Sequence, residues 1–143
     1  MNIFTIGFAG KGAEEFFETL KRPYIIRVID VRLGNASRLA GFTRKKDLPW
    51  LLDSLCGIGY MHCTELAPTK HMMNEYRKSG KWDEFQKAYL DLLAARGVEN
   101  MLNPESVSGS CLLCAEPSPD RCHRRLAAEY LQRTWRDVTI HHL

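Results

Sequence analysis

Ile3-Phe-Thr-Ile-Gly-Phe-Ala-Gly-Lys-Gly-Ala-Glu-Glu-Phe-Phe-Glu-Thr-Leu-Lys-Arg-Pro-Tyr-Ile-Ile-Arg-Val-Ile-Asp-Val31 decides the class of this chain. Its first four residues are apolar and stop at Gly7, as a short strand does. Ala13, Phe16, Phe17 and Leu20 then recur at helical spacing. Tyr24 to Val31 is a second run rich in β-branched residues, followed by a polar loop from Arg32 to Gly41. Strand, helix and strand within 31 residues predict a βαβ unit, and parallel neighbours require such crossovers.

The rest of the chain extends the same alternation. Thr43 can cap a helix carrying Leu48, Leu51, Leu52 and Leu55, with Pro49 in its first turn and Gly57-Ile-Gly59 at its end. Tyr60-Met-His-Cys63 reads as a third strand. Residues 65–81 are polar and read as loop with one helical turn at most, whereas Trp82, Phe85, Tyr89, Leu92 and Leu93 trace a helical face reaching about Arg96. Residues 98–110 are ambiguous, since Met101 and Leu102 extend a helix that Asn103-Pro104 and Gly109 break. Cys111-Leu-Leu-Cys114 is a fourth strand, Leu126 to Leu131 a last helix, and Val138-Thr-Ile-His141 a fifth strand. The expected fold is therefore α/β: a single-domain, Rossmann-like three-layer sandwich with a mostly parallel sheet of about five strands.

Composition sets the outer limits. The chain has 143 residues, enough for one core without disulfides, and we expect one domain. No apolar run approaches the roughly 18 residues of a membrane span, and the amino-terminal residues read as a strand rather than a leader. A soluble, cytoplasmic protein with no membrane partner is the expectation. Five cysteines, an odd number without secreted-scaffold spacing, favour reduced thiols. Cys111 and Cys114 lie three apart on a strand and so face opposite sides, which argues against a shared metal there. A net charge of +3 permits an anionic partner without requiring one. Basic residues are scattered, and aromatic residues are not interleaved with them, so nucleic acid is a weakly supported partner.

The densest chemistry lies in Cys114-Ala-Glu-Pro-Ser-Pro-Asp-Arg-Cys-His-Arg124, between a strand and a helix. Open α/β sheets place their sites in such crevices. Gly7, Arg32, Glu65 and Glu116 follow strands and are expected along one edge. Ser118-Pro119 reads as a helix start, putting Cys122, His123 and Arg124 in the first turns. Two readings stand for Cys122: a thiol activated by the helix dipole and nearby positive charge, or a buried member of the apolar stripe. Glu116 is a candidate general base. Arg32, Arg38 and Arg124 can bind a phosphate or carboxylate through their guanidinium forks, or can pair with Asp30 and Glu116 to hold loops. Cys114 occupies the position of the nucleophile in rhodaneses and related phosphatases, but Glu116, Pro117 and Pro119 bring negative charge and remove amide donors. Zinc from Cys114, Glu116, Cys122 and His123 is disfavoured, because adjacent Cys122 and His123 on a helix would point about 100° apart.

Taken together, Thr5-Ile-Gly7, Ile29-Asp-Val-Arg32 with Ser37-Arg38 and Gly41-Phe42, Gly57-Ile-Gly-Tyr60, and Leu113-Cys-Ala-Glu116 followed by Cys122-His-Arg124 resemble the domain of unknown function 488 family of bacteria and archaea. The resemblance spans nearly the whole chain. It implies a small cytoplasmic α/β domain and carries no reaction with it. Phe8-Ala9 replaces the His-Ser that often follows Gly7 in the family, and Leu66-Ala-Pro68 replaces a common Leu-Gly-Gly.

The sequence thus nominates Glu116 and Cys122 for chemistry, and Gly7, Asp30, Arg32, Ser37, Arg38, Cys114, His123 and Arg124 for ligand binding. No metal or cofactor is predicted. An enzyme acting on a small anionic or nucleotide substrate, a non-catalytic nucleotide or nucleic-acid module, and a thiol enzyme built on Cys114 are the functional alternatives. Oligomeric state is not legible.

Overall fold

The computed structural model describes residues 1–34 and 40–143. Ser37 and Arg38 lie outside the described residues. Five strands, β1 (Asn2–Gly7), β2 (Arg27–Asp30), β3 (Gly59–His62), β4 (Ser110–Cys114) and β5 (Thr139–His142), form one sheet in the order β3-β2-β4-β1-β5. Every pairing is parallel. Among the described residues seven helices connect them: α1 (Ala13–Leu20), α2 (Leu48–Cys56), α3 (Lys70–Ser79), α4 (Trp82–Arg96), α5 (Val98–Met101), α6 (Pro104–Val107) and α7 (His123–Thr134). The expected three-layer α/β fold is the one formed.

Side-chain alternation along the strands divides the core in two. Phe4, Ile6, Val28, Cys111 and Leu113 pack with Phe16, Phe17, Leu20, Leu48 and Leu52 of α1 and α2. Ile3, Ile29, Leu112 and Cys114 pack with Phe85, Tyr89 and Leu93 of α4 and with Leu126, Ala127 and Leu131 of α7. Cys111 and Cys114 therefore do face opposite layers, as their odd spacing requires. β4 is buried at all five residues, so it reads as an unbroken apolar run.

The order of connections locates a crevice. From β1 the chain crosses by α1 to β2 and by α2 to β3; from β4 it crosses by α7 to β5 on the opposite side. The two halves diverge around β4, and this is where an open parallel sheet leaves room beyond its strand ends.

Three local expectations are corrected. Residues 65–81 contain α3: Thr69 caps it by accepting from the Met72 N–H at 3.2 Å, and Gly80 ends it at φ 65°. The helix has no fully buried residue, so its apolar stripe is too thin to read in sequence; Tyr76 instead leans on Trp82 and Phe85, with ring centroids 5.6 and 5.3 Å away. Thr43 does not cap α2; it lies in a short 3-10 turn, and Asp47 precedes the helix. Ser118-Pro119 does not start α7. The serine oxygen accepts from the Asp120 N–H at 3.2 Å in a turn, and the chain stays irregular until His123, with Cys122 extended at φ −136° and ψ 137°.

Candidate functional site

β2 ends in a closed network. Asp30 is fully buried, and its carboxylate accepts from Arg32 Nε at 2.9 Å, from Arg32 Nη2 at 2.8 Å, from the Arg32 N–H at 3.1 Å and from the Tyr60 hydroxyl at 2.8 Å. Arg32 Nη2 also donates to the Thr43 carbonyl at 2.5 Å, and Nη1 reaches the Thr43 hydroxyl at 3.3 Å. The guanidinium lies 5.1 Å from the centroid of the Phe8 ring. Asp30 and Arg32 thus join the end of β2 to Thr43 and Tyr60. A buried carboxylate needs such partners, and here it has them.

Arg124, a further arginine nominated for an anion, is also engaged. It is completely buried on α7 and donates to the backbone carbonyls of Glu116 and Pro117. Among the described residues no carboxylate lies within ion-pair distance of it. It clamps the loop after β4 rather than reaching toward solvent. Gly7 serves the same clamp: a Cβ at this position would stand 1.7 Å from the Glu116 carbonyl oxygen and 3.0 Å from Arg124 Nη1. Only glycine allows β1 and the loop to approach this closely. The Phe8 and Ala9 N–H groups continue the contact, donating to the carbonyls of Cys114 and Ala115 at 3.2 and 2.9 Å.

The clamp leaves a cleft beyond the strand ends, with a volume of about 630 Å³. Phe8 and Phe42 supply apolar wall, Lys11 and Arg77 are cations on its lining, and Cys114 from β4 and His123 from the head of α7 also line it. A smaller recess of about 240 Å³ shares Met73, Arg77, Cys114, Glu116 and His123, and adds Trp82, Arg121 and Cys122. Arg32 and Glu116 both border the larger cleft, as the common-edge expectation requires. Glu65 does not: it accepts from Cys63 Sγ at 3.4 Å, and its carbonyl binds Arg96, because the chain turns away after β3 in a 3-10 turn. The Glu116 carboxylate is exposed and makes no hydrogen bond or ion pair among the described residues. Lys11, Arg77, Met73 and Phe42 escaped the sequence nomination. Arg77 and Met73 were hidden with α3, where their spacing of four puts them on one face.

At the head of α7 the nominated thiols and imidazole meet. The ligating atoms of Cys114, Cys122 and His123 all lie within 4.8 Å of one another. Cys114 Sγ is 3.6 Å from His123 Nδ1, and His123 Nε2 is 2.8 Å from the Val31 carbonyl oxygen. A carbonyl only accepts, so Nε2 carries the proton and Nδ1 keeps its lone pair, while Cys114 Sγ lies beside the ring, 3.8 Å from Nε2 as well. Burial pushes His123 below its ordinary range. The Cys122 hydrogen bond holds the Cys114 thiol below its ordinary range against burial, helped by the Ala115 N–H and the charge of Arg124. Cys122 is displaced upward in turn, chiefly by the same bond and by burial. Cys122 packs in the buried core with Leu126, one residue before the helix. Cys122 and His123 do not diverge as neighbours on a helix would, because the backbone at Cys122 is extended.

No helix among the described residues is long and apolar enough to cross a membrane. No curated protein and no solved structure matches the chain. The family model described as "Domain of unknown function DUF488" matches residues 12–131, a span that holds β2, β3, β4, the whole of the loop after β4 and most of α7. With the match covering most of its length, the chain belongs to the DUF488 family.

Proposed function

We propose that the cleft receives a small anionic molecule with an apolar or aromatic part, and that the protein is an enzyme acting on it beside Cys114. The supporting observation is the combination on one lining: Lys11 and Arg77 as cations, Phe8 and Phe42 as apolar wall, and the Cys114–His123 pair against the sheet. Ligand sites are commonly apolar clefts with a few placed polar groups, and this volume suits a nucleotide-sized or smaller compound. Lys11 and Arg77 hold the anionic group at the rim. The aromatic walls take the remainder, and Glu116, whose backbone is clamped and whose carboxylate is unpaired among the described residues, carries protons to and from it.

A thermal-shift series tests this. Inorganic phosphate, a nucleoside monophosphate and benzoate are compared with the uncharged nucleoside and benzamide, in the native protein and in Lys11→Ala/Arg77→Ala. A ligand at about 100 times its Kd stabilises by about 2.7 kcal/mol, which is a shift of several degrees. At least one anion should raise Tm while its neutral counterpart does not, and the double substitution should remove the shift. If no anion raises Tm, or if the shift survives loss of both cations, the reading fails.

A further inference from the structure

We propose that Cys114, Cys122 and His123 form a zinc site with three protein ligands and a fourth position facing the cleft. The geometry carries this. A tetrahedral zinc about 2.3 Å from sulfur and about 2.0–2.1 Å from nitrogen sets a sulfur-to-nitrogen edge of about 3.6 Å. Cys114 Sγ stands 3.6 Å from His123 Nδ1 and 3.8 Å from Nε2, and all three ligating atoms fall within 4.8 Å of one another. A turn of the His123 ring that brings the Nδ1 lone pair round to the sulfurs closes the set on one ion.

The surroundings have the features of a metal ligand sphere. Metal-binding imidazoles donate their second nitrogen to a carbonyl or carboxylate, which fixes the tautomer. His123 does so to the Val31 carbonyl, leaving Nδ1 as the nitrogen with a lone pair to offer. The ligands come from the end of β4 and the head of α7, elements held by the core, so little ordering is required on binding. Cys122 reaches the set because its backbone is extended one residue before the helix begins. Two sulfurs and an imidazole nitrogen are soft and borderline donors, which select zinc over the oxygen-seeking magnesium and calcium.

Three ligands rather than four distinguish a reactive zinc from a structural one. Cys114 and His123 line both the cleft and its recess, so the remaining position opens on the volume proposed for the anion. Zinc there would polarise a ligand oxygen or lower the pKa of a bound water, with the Glu116 carboxylate on the same lining. The inference stands on these three side chains alone and holds or falls independently of the anion reading.

The test uses the full chain, reduced with a phosphine and freed of metal by a chelator. Zinc is titrated against a competing chromophoric chelator, and cobalt(II) serves as the spectroscopic substitute. One ion per chain is expected with a Kd below about 1 μM. Cobalt should give the intense visible bands of a tetrahedral ion and a near-ultraviolet sulfur-to-metal charge-transfer band sized for two thiolates. Cys114→Ser and Cys122→Ser should each weaken zinc binding more than about 100-fold, since loss of mere outer-shell partners costs up to that much. Cys56→Ser and Cys63→Ser should leave it unchanged. The native-protein cobalt spectrum decides the matter even if a variant misfolds. Absence of a thiolate band in the reduced native protein, zinc affinity unaffected by Cys114→Ser and Cys122→Ser, or loss of binding in Cys63→Ser overturns the site.

Discussion

β2 and β4 are hydrogen-bonded neighbours, and each leads into buried ionisable groups: Asp30 with Arg32 after one, Cys114 with Cys122 and His123 after the other. The first cluster is complete in itself. Both carboxylate oxygens and three guanidinium nitrogens have partners, and Thr43 is tied to the end of β2 by them. The second cluster turns three ligating atoms toward one another beside a cleft, and just one imidazole nitrogen is fixed by a carbonyl. That carbonyl belongs to Val31, between Asp30 and Arg32, so the closed cluster holds the open one in place. Burial and polarity alone do not mark a site; ligating atoms that converge beside a cleft do.

The comparison is most severely tested at Asp30. Asp30→Asn leaves the buried Arg32 guanidinium without its charge partner and should cost about 3–5 kcal/mol in urea denaturation. A neutral effect on stability combined with loss of the anion response would show that the network serves the ligand rather than the loop. Next comes Gly7→Ala, which drives a methyl group into the Glu116 carbonyl and should destabilise by about 3 kcal/mol through displacement of the Arg124-clamped loop. Stability close to that of the native chain would mean the loop moves freely and the clamp is not a constraint.

A smaller effect depends on pH. Burial raises Cys63 from 9.0 to about 11. The folded state then holds the thiol proton more tightly than the unfolded state. Its contribution, about 2 kcal/mol, is complete below pH 9 and is lost as pH rises through about 11. Denaturation midpoints across that range should fall in the native protein and fall less in Cys63→Ala. The smallest effect on stability is expected at the rim: Lys11→Ala and Arg77→Ala should each change it by less than about 0.5 kcal/mol, while removing the thermal shift given by anions. A large stability loss would make them structural and return the cleft to the Asp30 kind of cluster.

Legibility in the sequence followed the strength of local signals. β1, β2 and β4 were readable as short continuous apolar or β-branched runs, and α4 because its apolar residues repeat at helical spacing. α3 was not, since Met72, Met73 and Tyr76 are half-buried against a neighbouring helix and most of its remaining residues are polar. With α3 went Arg77, the cation that completes the cleft. Ser118-Pro119 misled for a related reason: the pair stabilises a turn as well as a helix start, and the choice depends on Arg124 holding the carbonyls two residues earlier.

The alternation of strand and helix, the opposite facing of Cys111 and Cys114, and the concentration of chemistry after β4 were set by residue order alone, because period and spacing are local properties of the backbone. Which of those groups are engaged and which converge was decided only in three dimensions. Asp30 meets Arg32 within three residues, but His123 is oriented by a carbonyl 92 residues away. Cys122 joins Cys114 only because the helix begins one residue after it. Hydrogen-bond partners at such separations are chosen by packing, and no local pattern encodes them.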